Sequence, residues 1–82
     1  MPTIFRFAGL RVVIYTNDHQ PPHVHVIGDG CEAVFEMNCD GRPITLRENY
    51  GFALARLRKI KVVLQQQKRV ICLAWEKIHG TV

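Results

Sequence analysis

The chain has 82 residues and a mass of 9.4 kDa, with 48% hydrophobic and 22% charged side chains and a formal net charge of +4. That is room for one domain, spanning 1–82, with a core so small that its stability is marginal unless something staples it. The composition excludes a disordered or collagen-like chain, and no run nears the roughly 18 apolar residues of a membrane span. Residues Met1 to Arg6 lack the long apolar stretch of a signal peptide, so a cytoplasmic protein is the expectation. Cys31, Cys39 and Cys72 are odd in number and form no Cys-x-x-Cys pair. They signal neither a disulfide framework nor a cysteine zinc site, and small buried or half-buried thiols are expected.

Phe5 and Phe7 flank Arg6 near the start and read as a staple onto a sheet. Gly9 then precedes Leu10 to Tyr15, a β-branched and aromatic run of strand length. Thr16 to Pro22 carries Asp18, Pro21 and Pro22 and reads as a loop. His23-Val24-His25-Val26-Ile27 alternates with period two, which puts the valines on one face and both histidines on the other. Gly28-Asp29-Gly30 is a hairpin signal, because these residues tolerate positive φ, and Cys31 to Met37 is the return strand. Asn38 to Pro43 makes a second turn, with Ile44-Thr45-Leu46 as a short fourth strand.

The period then changes. Ala53, Leu57, Ile60 and Leu64 recur at i, i+4, i+7 and i+11, with Phe52, Leu54 and Val63 beside them. This spacing predicts a helix from about Tyr50 to Gln67 with Asn49 as its N-cap. Val70 to Trp75 is apolar throughout, and periodicity alone does not separate strand from buried helix there. Trp75, Ile78 and Gly80 favour a helix that stops at a glycine. The expected fold is α+β: a small antiparallel meander of three or four strands (1–48), then a basic helical half (49–82) of two helices packed on one face.

Charge divides along the same boundary. Residues 1–48 carry four basic and six acidic side chains, while residues 49–82 carry seven basic ones and only Glu76. Arg56, Arg58, Lys59 and Lys61 fall outside the apolar stripe, and Lys68 and Arg69 follow. No acid occurs from Asn49 to Trp75, although surface helices commonly mix signs to gain i,i+4 pairs. That pattern suits a polyanion such as RNA, or an acidic protein partner, with salt-sensitive phosphate contacts.

Three histidines occur within seven residues, in Asp18-His19-Gln20-Pro21-Pro22-His23-Val24-His25. Histidines at i and i+2 of a strand share a face, and a proline-stiffened loop can fold His19 or Asp18 back towards them. Three kinds of work fit. His19, His23 and His25 could ligate zinc or another first-row divalent metal. The imidazoles could act as general acid and base, with His19 and Asp18 orienting His23 and His25. They could also contact phosphates or bases; the plain structural alternative is a turn whose imidazoles hydrogen-bond nearby carbonyls. His79 is placed to favour the C-terminus of the last helix, and Trp75 and Phe52 read as core.

The opening Met1-Pro2-Thr3-Ile4-x-Arg6-Phe7, then Gly9-Leu10, Tyr15, Asp18-His19-x-Pro21-Pro22-His23-x-His25 and Glu32-Ala33, resembles a bacterial family, the domain-of-unknown-function 4160 family. The resemblance is specific over residues 1–37. It implies a last helix bearing a tryptophan, a place that Trp75 fits, and an arrangement in pairs with a second short domain that suggests toxin–antitoxin modules.

The leading expectation is therefore a toxin-like protein acting on or binding RNA without a cofactor. In it His23 and His25 are the acid–base pair, and Arg56, Lys59 and Lys61 hold the anionic substrate. A second reading is a non-catalytic metal-binding or protein-interaction module using the same loop. A third is a homo-oligomer joined through the apolar last helix.

Overall fold

Five strands and two helices follow one another in the computed structural model, which describes residues 3–80. Strands β1 (Thr3–Phe7) and β2 (Leu10–Val13) form a hairpin through Ala8-Gly9, and β3 (His23–Gly28) and β4 (Cys31–Glu36) form another through Asp29-Gly30. Both central residues of each turn have positive φ, 48° and 77° in the first and 53° and 73° in the second. Such two-residue turns match the right-handed twist of the strands they join, and a glycine in each relieves the cost. β5 (Thr45–Tyr50) completes one antiparallel sheet of order β1-β2-β3-β4-β5. Helices α1 (Leu54–Gln66) and α2 (Lys68–His79) follow. The fold is thus α+β, with a five-stranded meander where three or four strands were expected.

The extra strand is β1. Phe5 and Phe7 are strand residues paired with Val12 and Leu10, not a staple laid onto a sheet. Alanine at the first turn position hid this hairpin, because it is not a residue that usually takes positive φ. The expected short strand at Ile44–Leu46 runs on to Tyr50, and this moves the helix start from Tyr50 to Leu54. Asn49 is accordingly not the N-cap, a position held by Ala53. Asn49 instead accepts from the Phe52 backbone N–H at 3.1 Å and donates to the Phe52 carbonyl at 3.0 Å. It closes the turn between β5 and α1. Met1 and Pro2 of the opening motif lie outside the described residues.

The two faces of the sheet have different fates. Val12, Val24, Val26, Ala33 and Phe35 join Leu57, Ile60 and Leu64 of α1 and Ile71 and Trp75 of α2 in one buried cluster. Leu57, Ile60 and Leu64 are the buried residues of the expected stripe, whereas Ala53 and Leu54 are exposed. Val70 to Trp75 is helical, and α2 stops at Gly80, whose φ is 79°. On the other face, Val13, His25 and Val34 lie side by side by strand register. Among the described residues no helix is long and apolar enough to cross a membrane.

The cysteines depart from expectation. Cys39 and Cys72 form a disulfide with Cα atoms 6.0 Å apart, tying the β4–β5 loop to α2 across 33 positions, and Cys31 alone stays free. Spacing could not reveal the pair, because its partners meet only when the helices fold back.

Candidate functional site

The β2–β3 loop turns tightly because Asp18 bonds to its own turn. Its backbone N–H donates to the Tyr15 carbonyl at 3.1 Å, and its Oδ2 accepts from the Tyr15 backbone N–H at 3.0 Å. This is the local bonding that makes aspartate a turn residue. It carries the carboxylate over the start of β3, where His23 and His25 stand on one face two residues apart. One ligand atom each from Asp18, His23 and His25 lie within 4.8 Å of one another.

Hydrogen bonding sets the direction of each ring. His23 Nδ1 lies 2.9 Å from the Pro21 carbonyl oxygen, which can only accept, so Nδ1 carries the proton. His25 Nδ1 lies 3.0 Å from Glu32 Oε2, and donates to that carboxylate. In the neutral form of each ring Nε2 is left as a lone pair, and both Nε2 atoms face Asp18: His23 Nε2 at 3.5 Å from Oδ1, His25 Nε2 at 3.4 Å from Oδ1 and Oδ2. With both rings neutral, three acceptors converge there. These separations are long for a hydrogen bond. They match the edge of a tetrahedron whose metal–ligand bonds are about 2.0–2.2 Å, for which two ligands stand about 3.4 Å apart.

The surroundings are those of a supported site. The Asp18, His23 and His25 side chains are 12%, 8% and 15% exposed, nearly dry yet open to a small ion. Tyr15 packs edge-on against His25 at 4.7 Å, and Trp75 of α2 lies 5.4 Å from His23. His79 stacks on Trp75 at 4.1 Å, in the last turn of α2 where a basic residue was expected. Asp18 and Glu32 bring two carboxylates to the pair of imidazoles, a charge balance that suits a divalent cation.

The loop does not bring all three histidines together. His19 is exposed and lies outside the cluster, so the converging set is Asp18, His23 and His25. The basic residues occupy other places. Arg56 pairs with Asp29 at 2.6 Å and lies over the Phe52 ring, at the end of β3 away from His23. Arg58, Lys59, Lys61 and Arg69 are exposed, and Lys68 donates to the Arg42 carbonyl. In that loop a side-chain hydrogen bond from Arg42 holds the Asp40 carboxyl below the usual range.

Sequence reasoning missed Glu32 and Trp75 as neighbours of the histidines. Glu32 was within reach: the Asp29-Gly30 turn pairs Ile27 with Glu32 and His25 with Val34, which makes Glu32 the diagonal neighbour of His25. Trp75 carried no such signal, since its approach depends on how α2 lies. Among known proteins, no curated protein and no solved structure matches this chain. A family model does match, over residues 9–76, and includes the whole histidine loop. The chain belongs to the family described as Domain of unknown function (DUF4160).

Proposed function

We propose that this protein binds a first-row divalent metal, zinc in the first instance, through Asp18 and the Nε2 atoms of His23 and His25. The observation that carries this is the convergence of Asp18 with both Nε2 atoms, each 3.4–3.5 Å from the carboxylate and all within 4.8 Å of one another, with both Nδ1 atoms committed to other partners. Two histidines and one carboxylate suit zinc or iron(II), and a carboxylate or carbonyl behind each ring is the usual outer support of a metal ligand. Three protein ligands leave a coordination position for water or substrate, as catalytic metal sites do. A bound metal there would supply an activated water at neutral pH. The Pro21 carbonyl and Glu32 would hold the two rings, and Tyr15 and Trp75 would limit solvent around them.

The test is metal analysis of untagged protein, followed by calorimetric titration of chelator-stripped protein with zinc. One equivalent of zinc, lost in Asp18→Asn and in His25→Ala with an unchanged circular dichroism spectrum, is expected. Wild-type protein that takes up no zinc, iron or nickel overturns the reading.

The second reading keeps the cluster metal-free. His23 and His25, with ring centroids 5.3 Å apart and a shared carboxylate, then act as acid and base on RNA in a toxin-like member of a toxin–antitoxin pair. The exposed Arg58, Lys59 and Lys61 would meet the RNA or an acidic partner. Growth arrest on induction that persists with intracellular chelation, but disappears in His23→Ala, supports it. Arrest by neither chain sinks it.

A further inference from the structure

We propose that the Cys39–Cys72 disulfide is a thiol–disulfide exchange site for an anionic low-molecular-weight thiol, a function separate from the metal reading. The bridge is not sealed in the core: Cys39 is exposed and Cys72 half-buried. Exposed disulfides are the labile ones, since exchange requires a thiolate to reach one sulfur along the S–S axis. Both cysteines line a groove of about 560 Å³ together with Gln65, Lys68, Arg69 and Glu76.

The groove is built for a negatively charged attacker. Lys68 and Arg69 stand four and three residues before Cys72 on α2, on the same side of the helix. They outnumber the single acid, Glu76. Their charge attracts an anionic thiol and also stabilises Cys72 as a thiolate, which makes it the better leaving group. Cys39, the more exposed sulfur, is accordingly the one attacked. Cys31 does not interfere, because its Sγ donates to the Asp29 carbonyl at the β3–β4 turn, the other end of β4 from the Cys39 loop.

The chemistry balances without a further oxidant. The incoming thiolate bonds to Cys39 Sγ, the Cys39–Cys72 bond breaks, and Cys72 departs with the electron pair. A second thiolate then attacks the mixed disulfide, releasing the oxidised dimer of the small thiol and a reduced Cys39. Two thiols supply the two electrons. The bridge also borders a second cleft lined by Pro22 and Trp75, so reduction removes the covalent tie of α2 beside the residue that packs on His23.

The test uses oxidised, metal-free Cys31→Ser protein and two probes at equal thiolate concentration, glutathione (anionic) and cysteamine (cationic). After acid quench and alkylation, peptide mass mapping should show glutathione on Cys39 and alkylated Cys72. Glutathione should react several-fold faster than cysteamine, and the ratio should fall towards one in Lys68→Gln/Arg69→Gln. No mixed disulfide on natively folded protein, an adduct on Cys72, or a rate ratio indifferent to the charge changes overturns the proposal. None of these readouts depends on metal binding.

Discussion

Asp18 has two tasks, and its Oδ2 takes part in both. Its Oδ2 accepts from Tyr15 and holds the loop, while both oxygens face the imidazoles. Asp18→Asn keeps an acceptor for Tyr15 but removes the charge, so under the proposed metal reading zinc affinity is expected to fall steeply while the helical and strand content stays. Glu32 acts only through His25, by fixing which ring nitrogen carries the proton. Losing such a support costs about 10–100-fold in metal affinity. Glu32→Ala is therefore expected to weaken zinc binding by that factor in calorimetry, and unchanged affinity would mean that the strand alone orients the ring. Acid works in the same direction. On the metal reading, metal and protons compete for the same nitrogens, so zinc affinity is expected to rise with pH and binding to release protons, measurable as a buffer-dependent heat.

At the scale of elements, the two hairpin turns and the α1 stripe set most of the architecture. Gly28 shows how tightly the hairpins sit together: a Cβ there would lie 2.5 Å from Leu10 Cδ2 and 2.9 Å from the Gly9 carbonyl oxygen. The leucine can swing away but the carbonyl cannot. Gly28→Ala should thus lower stability by about 1–3 kcal/mol, read from the denaturant midpoint. On α1, Leu64 is fully buried in the cluster that joins sheet to helices. Leu64→Ala is expected to cost about 2–5 kcal/mol, and a cost below about 1 kcal/mol would mean α1 packs loosely. The α1 stripe was legible from spacing because burial on one side repeats with the helical period. The helix start was not: Asn49 has the chemistry of a cap, and only its pairing with Ala33 in the sheet assigns it to a strand.

For the whole molecule, the disulfide decides how much stability is in hand. A domain of this size holds about 5–15 kcal/mol in total. Closing a loop of 33 positions removes unfolded-chain entropy worth about 3–4 kcal/mol. Cys39→Ser/Cys72→Ser should then lower Tm by at least about 12 °C, since each kcal/mol moves a small domain by roughly 4–8 °C. A drop under about 4 °C would mean that Ile71 and Trp75 alone hold α2. The same helix exposes Val70 and Leu73, the apolar residues on which self-association through the last helix would rest.

What the amino-acid sequence determined by itself is everything that repeats locally. The two-residue alternation of β3, the Asp29-Gly30 turn, the i,i+4 stripe of α1 and the glycine stop of α2 each depend on neighbours a few positions away. The pairing of His23 with His25 belongs here too, because a strand puts i and i+2 on one face whatever surrounds it. Tertiary structure alone decided the rest. It excluded His19 and brought in Asp18, because the loop closes on Tyr15. It joined Cys39 to Cys72 and set Trp75 against His23, contacts across 33 and 52 positions that arise only when α2 folds back onto the sheet.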